Sequence, residues 1–143
     1  MNNDNQLLAL SSIEKVREVA RIITINSDAV HAALRRFSSS ATGGESVASY
    51  ALLTEEYALR ARAHILSNDA ARFVVRDFEV TQDSLVAELI ATETRFGNVV
   101  NIDELSELLI ALILFSNAIV SRKNKILSFL FNNLIETRLS SHA

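Results

Sequence analysis

Cysteine, proline and tryptophan are absent from this chain of 143 residues, and glycine occurs only three times. At average usage of about 5%, a chain this long would carry roughly seven prolines. Without them, the many tight turns of a β-sandwich or barrel have few residues to make them. The missing cysteine excludes disulfide scaffolds, cysteine-ligated zinc and cysteine nucleophiles. An excess of either charge is also lacking. Fourteen Lys+Arg face seventeen Asp+Glu for a net of −3, so no global field draws nucleic acid. The start, MNNDNQ, carries an acid and no base, and the LLAL after it is too short for a signal peptide. The cytoplasm is the expected location. What the chain has in excess is apolar character, at 49% hydrophobic residues with a mean hydropathy of +0.20. That surplus points to apolar surface that meets a partner.

Spacing and capping signals predict an all-α chain. Ser11 and Glu14 form an S-x-x-E capping box. After it, Ile13, Val16, Ala20, Ile23, Ser27, Val30, Leu34 and Phe37 keep a 3–4 spacing, the pattern of a long helix with one apolar seam. The Ser/Gly-rich run 38–44 reads as a hinge. A second helix is predicted from about Ser46 to Leu66, and a short third one around Phe73, Val74 and Phe78. Thr81 is the expected N-cap of the next, with Val80 and Leu85 as its hydrophobic staple and Gly97 as its left-handed close. Asn101 and Glu104 make another capping box, stapled by Val100 and Leu105.

The helix they start carries Leu108–Phe115 (LLIALILF), apolar on every side and expected to be buried all round. Leu108–Val120 is too short for a membrane span, which needs roughly 20 residues. The expected architecture is therefore one domain over residues 1–143, a bundle of about five helices around the hydrophobic segment 105–120. Residues 1–10 are expected to be flexible.

Few residues are arranged for chemistry. Glu55 and Arg62 fall inside the apolar arc of the second helix, seven positions and so about 10 Å apart along its axis. They are the candidate pocket for a small ligand that takes one acid and one base. His31 lies at the margin of the first helix's seam, between Asp28 and Arg35. The run His31-Ala32-Ala33-Leu34-Arg35 partly resembles the H-x-L-K-G motif of histidine-phosphotransfer domains, which are four-helix bundles. It departs from that motif where Leu34 sits one place late and Arg35 replaces the glycine. The resemblance implies phosphotransfer through His31 as an alternative activity. No metal-ligand spacing, phosphate loop or nucleophile elbow occurs. The helix-turn-helix-like start at Thr81 is followed by apolar and acidic residues that phosphates would repel.

The leading expectation is a non-enzymatic protein-interaction module without cofactor: an adaptor, regulator or small chaperone. A sensor bundle using Glu55 and Arg62 comes second, and phosphotransfer third. The amphipathic end of the chain supplies the expected homodimer interface, through Ile126, Leu127, Leu130, Phe131 and Leu134.

Overall fold

The protein, seen in a computed structural model, is described for residues 7–38 and 43–140. Five α-helices account for most of it: α1 (Ile13–Ser38), α2 (Gly43–Asn68), α3 (Gln82–Asn98), α4 (Ile102–Val120) and α5 (Leu127–Leu139). Ser38 closes α1 and Gly43 opens α2, so the expected hinge narrows to residues 39–42, which lie outside the described residues.

The apolar seam of α1 is buried along its length and widened by Val19, Ile22 and Ala33. This helix, rather than the hydrophobic segment of α4, is the central element, and it packs mainly against α2 and α3. α1 and α2 are antiparallel, since Asp28 meets Arg60 while His31 meets Glu56. α1 and α3 run parallel, because Asn26 donates to the Leu89 carbonyl and Arg36 to that of Phe96. Glu104 near the start of α4 meets Arg95 near the end of α3, and Asn117 near its end meets Arg62 late in α2. α4 therefore runs in the same direction as α2. Its apolar run is not buried all round: Ile110 and Leu114 are exposed.

The caps explain most boundaries. The Thr81 hydroxyl accepts from the Ser84 amide, and the Asn101 side chain accepts from the Glu104 amide at 2.9 Å. At α1 the cap is Ser12, which accepts from the Lys15 amide, and not Ser11. Gly97 stays helical, and no described glycine takes a positive φ. The short third helix reduces to one 3-10 turn, Ala70–Phe73. Residues 7–10 are held rather than flexible. The Ala9 amide donates to Val80 O at 2.7 Å and the Val75 amide to Leu10 O at 2.8 Å, while Ala9 and Leu10 are fully buried.

The expected last helix breaks after Val120 without glycine or proline. Arg122 takes φ 58°, the Lys123 amide donates to Ala118 O, and the Arg122 amide donates to Ile119 O. This is the Schellman arrangement, normally built on glycine. Arg122→Gly is expected to raise stability by about 1 kcal/mol by removing the left-handed strain of a side-chain-bearing residue. Urea denaturation checks it, and an unchanged midpoint would contradict it.

The break turns α5 back onto α4, and this corrects the expected dimer surface. Leu127, Leu130, Phe131 and Leu134 are buried within the chain, and of that stripe only Ile126 is exposed. Phe131 stacks with Phe78 and Phe115 at centroid distances of 6.0 and 5.9 Å. The stripe completes the core and is not free to receive a partner.

Candidate functional site

α2 has two faces. Leu52, Leu59 and Leu66 point inward and are buried. On the opposite side, Val47, Tyr50, Thr54, Tyr57, Ala61 and His64 recur at strict 3–4 spacing and are all exposed. This is the spacing of a coiled-coil seam. The large side chains on this face stand well out of the surface: Val47 71%, Tyr50 75%, Tyr57 56% and Ile65 45% exposed. From Val47 to Ile65, about 27 Å at helical rise, the outward arc contains no Asp, Glu, Lys or Arg. A helix face turned to water is normally charged. On α5 the setting is different: exposed Phe129 and Ile126 stand close in sequence to Lys123 and Lys125.

Hollows flank the tyrosines. One of about 670 Å³ is lined by Tyr57, Arg60, Ala61, His64, Ile65, Asn68 and Asp69. A second, of about 300 Å³, lies between Tyr50, Leu53 and Ser49 of α2 and His31, Leu34, Arg35 and Ser38 of α1. A third, of about 400 Å³, has Tyr57 and Arg60 on one wall and Asp28, His31, Ala32 and Arg35 on the other, with Glu56 also lining it. The α2 face is thus ridged, with pockets between its large side chains.

Beneath the third hollow lies the polar cluster that fixes α2 on α1. Glu56 is fully buried, with His31 Nδ1 at 3.0 Å from one carboxylate oxygen and Arg60 Nε at 3.2 Å from the other. Where that carboxylate is the acceptor, His31 is the donor of the bond through Nδ1. Arg60 also reaches Asp28 at 2.9 Å. Burial works against the Arg60 charge, but the hydrogen bonds to Asp28 and Glu56 outweigh it and raise its pKa. The two basic partners each keep more than a third of their side-chain surface in water, so the buried acid is neutralised from the rim.

The expected pocket of Glu55 and Arg62 does not form. Glu55 is exposed, whereas Arg62 donates from Nε to Asn117 Oδ1 at 3.2 Å, and among the described residues neither lines any of the three hollows beside the tyrosines. Both stand along one edge of the charge-free face. The sequence pattern puts Glu55 inside the apolar arc of α2 and leaves its burial open, whereas the buried acid is its neighbour Glu56. Sequence reading missed Glu56, Arg60, Tyr50 and Tyr57. The signal was available in the heptad spacing of residues 47–64 and in the alignment of Glu56 with Ser49 and Ala63, two turns of the inward row. His31 is where the first helix's seam puts it, at a half-buried margin, but its partner comes from α2.

Among the described residues, no three or more His, Asp or Glu side chains are grouped to hold a metal ion, and no helix is long and apolar enough to cross a membrane. Comparison with family models, curated proteins and solved structures gave no match to this chain.

Proposed function

We propose that this protein is a non-enzymatic protein-interaction module, an adaptor, regulator or small chaperone, whose docking surface is the outer face of α2. The observation that carries this reading is the charge-free arc from Val47 to Ile65 with two exposed tyrosines. Aromatic side chains on a charge-free arc, with charged residues such as Arg35, Arg60 and Asp69 only in the hollows at its margin, match an interface with an apolar centre and a polar rim. The His31–Glu56–Arg60 cluster has a supporting part here, because it holds α2 in place from below. The ligand-sensor alternative has less support, since neither Glu55 nor Arg62 lines the hollows beside the tyrosines. The phosphotransfer alternative rests on His31 alone, with Arg35 lining the same hollows.

The test is the double variant Tyr57→Glu, Ile65→Glu, expressed in the source cell and followed by the size of the complex that contains it. Both positions are exposed in the single copy, so its helical content is expected to match the wild type. Its complex is expected to be lost. An unchanged complex, or one lost instead on Phe129→Glu in α5, would overturn the reading.

A further inference from the structure

We infer that the outer face of α2 pairs with the same face of a second copy of this chain, the two helices running antiparallel about a two-fold axis. This rests on the docking reading above and names its occupant. Two residues that do not meet within one copy point to this pairing. Seven residues is two turns less about 20°, so Glu55 and Arg62 stand on the same edge of the face, one near each end of its middle third. Among the described residues, Glu55 makes no hydrogen bond or ion pair, and Arg62, held through Nε by Asn117, has no carboxylate partner within the copy, its buried Nη1 being without an acceptor. A second copy laid antiparallel reverses their order. Glu55 of one copy then comes level with Arg62 of the other, and the relation holds twice. A parallel copy would instead bring this edge against the opposite edge of its partner, where Arg60 is already paired with Asp28 and Glu56.

The register that follows is sterically consistent. The two-fold axis passes between Ala58 and Leu59, at the level of small residues on the outward arc. Tyr57 of one copy comes level with Ala61 of the other to within one residue, a large side chain against a small one. That is how knobs fill holes in a coiled-coil seam. The area is also of the right order. The exposed parts of Val47, Tyr50, Tyr57 and Ile65 amount to roughly 500 Å² per copy, taking about 150–250 Å² for each whole aromatic side chain. Two copies bring roughly 1,000 Å² from these side chains alone, near the lower bound of about 1,200 Å² for specific interfaces. Ile110 and Leu114 add to the edge on which Glu55 and Arg62 stand, since α4 runs beside α2 in the same direction with Asn117 level with Arg62. Two-fold closure is the commonest solution for a self-complementary patch.

Sedimentation velocity on the full chain tests this with two charge variants. Glu55→Arg carries two bases on the edge, and Arg62→Glu carries two acids. Each is expected to be monomeric alone under conditions where the wild type is dimeric, and an equimolar mixture is expected to form the heterodimer. A parallel pair, or a partner that is not this chain, does not give that result. Because the chain has no cysteine, single introduced thiols report geometry independently. Ala58→Cys is expected to cross-link copies under mild oxidation and Val47→Cys is not; cross-linking of both would mean a parallel pair and overturn the proposal. A wild type that stays monomeric at high micromolar concentration would also overturn self-pairing. If the Tyr57→Glu, Ile65→Glu variant then still loses its complex in cells, the docking reading stands with a different protein as occupant. If neither effect is seen, both fail.

Discussion

Replacing Phe115 by alanine is expected to cost about 3–5 kcal/mol, the range for deleting a fully buried aromatic side chain. Phe115 has no exposed surface and lies 6.2 Å from Phe78 and 5.9 Å from Phe131 between ring centroids. These three rings come from separate parts of the chain: the irregular segment after the 3-10 turn, α4 and α5. Neither neighbour can collapse far into the space, because Phe78 is tied to the strap at residues 7–10 by the flanking Val75 and Val80 bonds. Against a typical total of about 5–15 kcal/mol for a domain, the loss is a large share. Urea unfolding followed by circular dichroism measures it, and a loss below about 1 kcal/mol would mean that the cluster is not a keystone of the core.

The second large effect is expected at the other attachment of α5. Arg138 donates from Nε and Nη2 to the two oxygens of Glu88 at 2.6 and 2.8 Å, and the Glu88 side chain is only 6% exposed. The hydrogen bonds to Glu88 raise the Arg138 pKa, against burial that works to lower it, so the guanidinium keeps its charge. Arg138→Met would leave the carboxylate buried with the Thr92 hydroxyl as its remaining side-chain donor. The expected cost is about 3 kcal/mol, since stranding one partner of a buried pair is far worse than removing both. The double variant Arg138→Met, Glu88→Leu is therefore expected to recover most of the loss. A double-mutant cycle decides it. If the two single losses simply add, the pair is not coupled as described.

Local chemistry was the legible part of this fold. Thr81 and Asn101 cap their helices as their sequence contexts require, because an N-cap depends on residues within one turn. The break at Ser121–Ile126 left no such mark. Arg122 is an unusual left-handed residue, held there by two backbone bonds and by α5 returning Phe131 to the core. The α5 stripe was read as surplus because the segment 108–115 was taken to fill the interior alone. Ile110 and Leu114 instead face outward, and the core takes Leu127, Leu130, Phe131 and Leu134 in addition. The site suffered from a subtler ambiguity. α2 is apolar on two opposite faces, so periodicity alone does not say which is inside, and an error of one position turns a side chain by 100°. That single step separates exposed Glu55 from buried Glu56, whose partners lie on α1 and in the next turn of α2.

The outer face of α2 is expected to be covered when the protein is at work. Hydroxyl-radical footprinting inside the source cell, compared with the dilute purified protein, reads this residue by residue. Tyr50 and Tyr57 are expected to be oxidised several-fold less in the cell, while Phe129, equally open on α5, serves as the internal reference and stays unchanged. Tyrosines oxidised to the same extent in both settings, or protection that falls on Phe129 instead, would contradict the claim that α2 is the interaction surface.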